Sequence, residues 1–459
     1  MVEKNRINWF AFIGAIFTFL CLKNWIEEKS PFYYYLLPAV YTICSIFIYK
    51  TNWYFGKAPG YTVFMIIAIF RYCIMPYFLS LTSVYFCHVI NYNYVDEGIY
   101  LIIYEMIVGF IFLRYRYKKK FRRSRLEYRI YHKSTFIYIL VSIAFVATTV
   151  LNFNYFFRGL TLFNQFKIDN PEQYEMPVAM TLIWGTSLLW LYSYSIYSLS
   201  LKHISIKFKI IISVALTLFL GFITFVSQSA ISRWYMVICV FSGYFLLLKC
   251  YSHYKKALRF LILSPLIILV LIVSIVKNYG GENDNITLIA TSSWMDAYFA
   301  GPISVNNGIS MNEREDVGIS TLIPDVLNNM PIVNHYIDRD KSTPYYYNKL
   351  AGRIYGPDSQ GDQIIPLVSQ GQTYFGTIEA PILMIFFIWL FSVYDFKYLT
   401  NYGYKTFLYA FIACWCASVL ALNLTINISW WWIRILPLMV LIYAVEKFFS
   451  SKRHTSITY

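Results

Sequence analysis

Apolar residues in this chain come in long runs rather than in alternation. Twelve runs are separated by polar breaks, at residues 8–22, 32–49, 61–81, 98–113, 135–153, 177–199, 209–226, 230–249, 258–276, 376–396, 404–424 and 427–448. About 20 mostly apolar residues carry an α-helix across the hydrocarbon core of a bilayer, and a helix satisfies its own backbone polar groups there. The runs predict an all-α polytopic membrane protein with about 12 transmembrane helices. One break differs from the rest. Residues 278–375 are polar and rich in Asn, Asp, Gly and Pro. A connection that long is usually functional or disordered, and its Tyr, Trp and Ile content argues for a folded insert. The predicted organisation is nine helices over 1–277, a large loop over 278–375 and three helices over 376–459, together one integral membrane domain.

Charge sets the orientation. The loop holds eleven acidic and five basic side chains, a net of −6, in a chain that is formally +15, so the remainder carries +21. Basic residues collect on the cytoplasmic side of a membrane protein. The stretch RYRYKKKFRRSRLEYR (residues 114–129) follows the fourth run and places its end inside. By alternation Lys50, Lys57, Lys202, Lys207, Lys209, Lys255, Lys256, Arg259, Lys397, Lys405, Lys452 and Arg453 then also fall inside. Asp96, Glu97, Asp169, Glu172 and Glu175 fall outside, with Arg158 and Lys167 as basic exceptions. The expected topology is N-in/C-in with the large loop periplasmic.

Composition agrees: 58% hydrophobic and 14% charged residues exclude an ordinary soluble domain. The basic pI of about 9.2 reads as cytoplasmic loop charge, and no nucleic acid is expected as a partner. Lys4 and Arg6 precede a first run that others follow, the pattern of an anchor. No cysteine lies in the large loop, so no disulfide framework is expected there.

Three arginines interrupt the apolar runs: Arg71 in FMIIAIFRYCIMPYF, Arg233 in QSAISRWYMV and Arg434 in SWWWIRILPLMV. An arginine inside a membrane helix costs roughly 2.5–3.5 kcal/mol on insertion scales, so it faces water or a partner. One reading is a cationic cradle for phosphate, whose oxygens guanidinium binds bidentately. The other is snorkelling, or pairing with an acid such as Glu105 or Glu379. In the loop, Asp296 stands near Trp294 and Tyr298, and His335, Arg339, Arg353, Asp358 and Asp362 gather with Gly and Pro. Carboxylates, an imidazole and aromatics suit glycosyl chemistry, and they also suit a solvated loop. Glu379 follows in QTYFGTIEAPILMIFF, where Gly371 and Gly376 suggest a close backbone approach. The run Trp430-Trp431-Trp432 reads as an interfacial aromatic belt or a sugar platform. Nucleotide hydrolysis, dinucleotide redox chemistry and zinc hydrolysis lack their motifs: there is no GxxxxGK[ST], GxGxxG or HExxH, and the six His show no ligand spacing.

The layout of the whole chain resembles the bacterial O-antigen polymerases, the Wzy family. The resemblance rests on the helix count, the single large outer loop and three short stretches. These are SQSAISR ending at Arg233, the early loop segment YFAGPISVNNG, and SQGQTYFGTIEAPILMIFF, which resembles the family's Gly-rich return into the membrane.

The resemblance implies a glycosyltransferase of the bacterial inner membrane that joins undecaprenyl-diphosphate-linked oligosaccharide repeat units into a surface polysaccharide. It implies Arg233, then Arg434, Arg71 and Arg353, as ligands of the diphosphate, and Asp296, His335, Asp362 or Glu379 as the base. No cofactor or metal is expected. Partners would be the lipid-linked oligosaccharides, membrane lipid, and a chain-length regulator and flippase of the same pathway. Three alternatives remain: an O-antigen ligase, another lipid-sugar-dependent glycosyltransferase, and a lipid-linked oligosaccharide flippase.

Overall fold

A computed structural model describes residues 8–27, 32–81, 95–118, 135–153, 177–226, 233–279, 292, 295–328, 330, 333–338, 341–355 and 364–449. Among these residues the chain is helical, without strands. In chain order the helices used below are α1 (Trp9–Ile26), α2 (Leu36–Phe47), α3 (Pro59–Leu81), α4 (Val95–Lys118), α5 (Thr135–Leu151) and α6 (Val178–Leu201). Then come α7 (Ile206–Val226), α8 (Arg233–Cys250), α9 (Lys255–Tyr279), α10 (Pro302–Arg314), α11 (Leu322–Leu327) and α12 (Thr343–Tyr355). The last four are α13 (Leu367–Phe375), α14 (Ile382–Thr400), α15 (Lys405–Ala417) and α16 (Leu424–Lys447).

Each of the twelve apolar runs holds a helix. Among the described residues six helices are long and apolar enough to cross a membrane: α1, α3, α4, α7 over Ile206–Phe225, α14 and α16. A seventh span is possible if Trp234–Cys250 and Ser252–Ile268, which turn through 118° between them, count as one. The chain is thus a helical multi-pass membrane protein. Helix α6 has the length, at 24 residues, but its Ser and Tyr side chains lower its apolar character. The tenth run was expected to start at 376. Its helix starts at Ile382, because Gly376 takes a positive φ of 93° and residues 377–381 form a turn.

Two spans break their α geometry in the same way. Phe70–Ile74 in α3 and Trp431–Ile435 in α16 are single π-helical turns, closed by Met75 N–H to the Phe70 carbonyl and by Leu436 N–H to the Trp431 carbonyl. In both, the closing donor is followed at once by proline, Pro76 or Pro437. Proline lacks an N–H and its ring crowds the carbonyl four residues back. Widening the preceding turn relieves that crowding, and π-turns of this kind recur at functional sites. Arg71 lies in one turn and Arg434 in the other.

The chain forms two compact units. The first comprises Met1–Phe121, Ile286–Val393 and Trp415–Ser429, and the second Arg122–Asn285, Tyr394–Cys414 and Trp430–Tyr459. In the first unit the loop helix α10 is buried from Pro302 to Met311. It packs on α4, where Gly98 admits the Pro302 carbonyl, as well as on α12 and α13. Residues 302–309 are core, and several polar side chains there find partners within the fold. Ser304 bonds Asp296, its carbonyl accepts from the Tyr347 hydroxyl at 3.1 Å, and Asn306 bonds Asn307.

Candidate functional site

In the first unit, Arg71 has an acid. Its Nη2 lies 2.8 Å from Glu105 Oε2, both side chains fully buried, and its Nη1 donates to the Leu420 carbonyl at 3.4 Å. Breaking a buried pair strands the remaining charge at a cost of about 3–5 kcal/mol, so drawing Arg71 toward a phosphate would be unfavourable. Of the two sequence readings for Arg71, the structure shows the internal pair.

Asp296 lies five residues before the N-cap of α10 and 2% exposed. Its carboxylate accepts from Ile303 N at 3.1 Å, Ser304 N at 2.7 Å and Ser304 Oγ at 2.8 Å, filling the free amides of the first turn. A Cβ on Gly301 would collide with that carboxylate. Burial raises the carboxyl to about 6, against the pull of these hydrogen bonds and of the Arg71 charge.

A second loop carboxylate, Asp325 on α11, is fully buried and was not singled out by the sequence. It accepts from Thr343 N at 2.9 Å, Gln370 Nε2 at 3.2 Å, and the Thr343 and Tyr374 hydroxyls. Gln370 Oε1 in turn accepts from Leu424 N at 2.7 Å, at the start of α16. One carboxylate thus ties α11, α12 and α13 together, and Gln370 carries the tie to α16. Burial raises Asp325 to about 6 as well, the same donors opposing. The close approach expected at Gly371 is present: a Cβ there would strike the Ala380 carbonyl.

Glu379 lies in the turn before α14 and is exposed. The neighbouring Ile378 carbonyl accepts from the Tyr104 hydroxyl at 2.9 Å, pinning the turn to α4. Of the proposed bases it alone has a described side chain open to solvent. His335 lies on a short 3₁₀ turn, Val333–Tyr336, and Arg353 on α12, with both side chains outside the described residues. Asp362 lies wholly outside them. Among the described residues no group of three His, Cys, Asp or Glu could hold a metal.

In the second unit Arg434 is 4% exposed. Its Nη1 donates to the Thr181 carbonyl at 2.7 Å. Gly185, one turn along α6, has no side chain to block that path, and a Cβ there would collide with the guanidinium. The guanidinium carbon sits 5.5 Å over the Tyr235 ring, which meets Trp430 edge-on at 4.4 Å. No carboxylate among the described residues pairs with Arg434. A carbonyl dipole and a ring quadrupole offset part of its charge, but a formal positive charge remains buried. Tyr235 is the third residue of α8, which begins at Arg233, so Arg434 lies against the first turn of an 18-residue helix. The free amides of a helix N-terminus add positive potential. The Arg233 side chain is outside the described residues. Sequence reasoning missed Thr181, Gly185 and Tyr235. The one available signal was Gly185, a lone glycine inside an apolar helix, which marks a close approach.

No family model, curated protein or solved structure matches this chain. Arg434 is thus a buried cation with no acid beside it among the described residues.

Proposed function

We propose that this protein is a polytopic glycosyltransferase that joins undecaprenyl-diphosphate-linked oligosaccharide units into a surface polysaccharide at the outer face of the bacterial inner membrane. In this reading about 12 spans run N-in/C-in and the loop over 278–375 is periplasmic. The observation that carries the proposal is the contrast between two arginines in equivalent π-turns. Arg71 is neutralised by Glu105, whereas Arg434 is buried with no acid beside it among the described residues and lies at a helix N-terminus. A buried cation kept without a counter-ion suits a substrate that brings its own anion.

The reaction asks for that group. An acceptor sugar hydroxyl attacks the anomeric carbon of the donor glycan, the new C–O bond forms, and the bond to the lipid diphosphate breaks. Negative charge grows on the departing diphosphate, where preorganised donors stabilise the transition state more than the ground state. Arg434 supplies the guanidinium, and Arg233, the first residue of α8, is the second candidate that the sequence offers. The acceptor proton needs a base open to solvent. Asp296 and Asp325, spent on hydrogen bonds inside the loop, act as supports.

The test is the gel profile of surface polysaccharide from a strain deleted for the gene. Collapse of the ladder to core plus a single repeat unit is expected. Loss of even the single unit would favour a flippase, ligase or earlier transferase. An unchanged ladder would remove the proposal.

A further inference from the structure

The second unit carries a groove that the glycosyl chemistry does not use. It has a volume of about 350 Å³ and is open on one side, between α5, α6 and α7. That volume is within the roughly 300–1,000 Å³ of ligand pockets. Its lining is largely apolar, with Leu199, Ile212 and Leu216 beside Tyr138 and Tyr194. Polarity appears along one rim, where Ser195, Ser198 and Lys202 follow one another up α6 and past its end. From Tyr194 to Lys202 the groove runs eight residues, about 12 Å at 1.5 Å each.

The surroundings decide what can enter. Phe136, Ile139 and Ile143 on α5 and Phe208 and Ile211 on α7 are each more than half exposed, so the groove opens among apolar helix faces of the kind that lipid covers. The rim has one sign of charge. Lys202 and Lys207 are exposed there with His203 between them, and Lys209 is held to the Ser200 carbonyl at 3.0 Å. Residues 135–153 and 177–226 contain no Asp or Glu. An apolar trough lined at its polar rim by Lys202, which has no acidic partner among the described residues, matches an acyl chain beneath a negatively charged headgroup. Basic pockets between membrane helices hold anionic headgroups in this way, and lysine ammonium is a strong point-charge partner for phosphate.

We propose that this groove is a binding site for one anionic glycerophospholipid of the surrounding bilayer, its acyl chain along Leu199, Ile212 and Leu216 and its phosphate at Lys202. The site is independent of the reading of Arg434.

Native mass spectrometry of the full chain in mild detergent tests it, with phosphatidylglycerol or phosphatidylcholine of matched chains as the probe. The expected result is one retained phosphatidylglycerol, held at least fivefold more than phosphatidylcholine. Retention should fall at least fivefold in Lys202→Glu, whose exposed side chain makes no demand on folding. Leu216→Trp, which fills the trough, should lose the bound lipid while its melting temperature confirms that it folds. Equal retention of the two lipids would overturn the charge argument. Undiminished phosphatidylglycerol in both variants would overturn the location.

Discussion

Arg434→Ala is expected to lower the rate of chain joining at least a hundredfold while leaving the protein in the membrane. Removing one preorganised donor to a developing oxyanion typically costs about 10²–10³ in rate. Here the donor is a full charge in a buried setting, where electrostatic interactions are strong. The Thr181 carbonyl would lose its contact at 2.7 Å, but that carbonyl lies in the interior of α6, where it also serves the helix. The structural loss is therefore modest beside the catalytic one. Arg434→Lys should recover little, since an ammonium cannot engage two phosphate oxygens as guanidinium does. The check is glycan ladder length and membrane abundance measured together. A short ladder at normal abundance is the expected outcome. A full ladder from Arg434→Ala would take the residue out of the reaction.

Asp325→Ala should loosen the whole loop. The substitution leaves Thr343 N without its acceptor in a buried place, and it leaves the Thr343 and Tyr374 hydroxyls and Gln370 Nε2 only their contacts with one another, with Thr321 and with Thr425. A stranded buried donor costs about 1–3 kcal/mol, and loss of the acceptor shared by the other three adds to it. Hydrogen exchange should show faster opening of α11, α12 and α13 together, with Asp325→Asn milder because it keeps an acceptor. Exchange confined to α11 would mean that the carboxylate does not unite these helices. The same group sets a pH trend. Its carboxyl is raised from 3.8 to about 6 on folding, chiefly by burial. A raised carboxyl gives stability that is complete below 3.8 and is lost as pH rises through 6. Asp296, raised likewise, has the same sign. Loop protection, corrected for intrinsic exchange, should therefore be greater at pH 4.5 than at pH 7.5, and the Asp325→Ala chain should show less of this gain.

The membrane helices were legible because burial in lipid demands continuous apolar runs, which period and length reveal directly. The π-turns at Arg71 and Arg434 were not, although each precedes a proline that could have drawn notice. The fates of the two arginines could not be separated from the sequence either. Glu105 lies 34 positions from Arg71, and only the packing of α4 beside α3 selects it over other acids. Helix α10 was hidden for a different reason. PISVNNGISMNER is too polar to read as core, and its burial depends on hydrogen bonds to Asp296, Tyr347 and Thr373 that come from elsewhere in the chain. The Gly371 contact was foreseen because a backbone approach that excludes Cβ leaves a glycine behind. Asp325 carried no such mark, being one acid among eleven in the loop.

The most direct test of the central claim is reconstitution of the purified protein in liposomes with undecaprenyl-diphosphate-linked repeat units. The account predicts products two, three and more units long, with one undecaprenyl diphosphate released for each bond formed. Units that cross the bilayer unchanged, or glycan that remains single while lipid diphosphate stays bound to it, would contradict it.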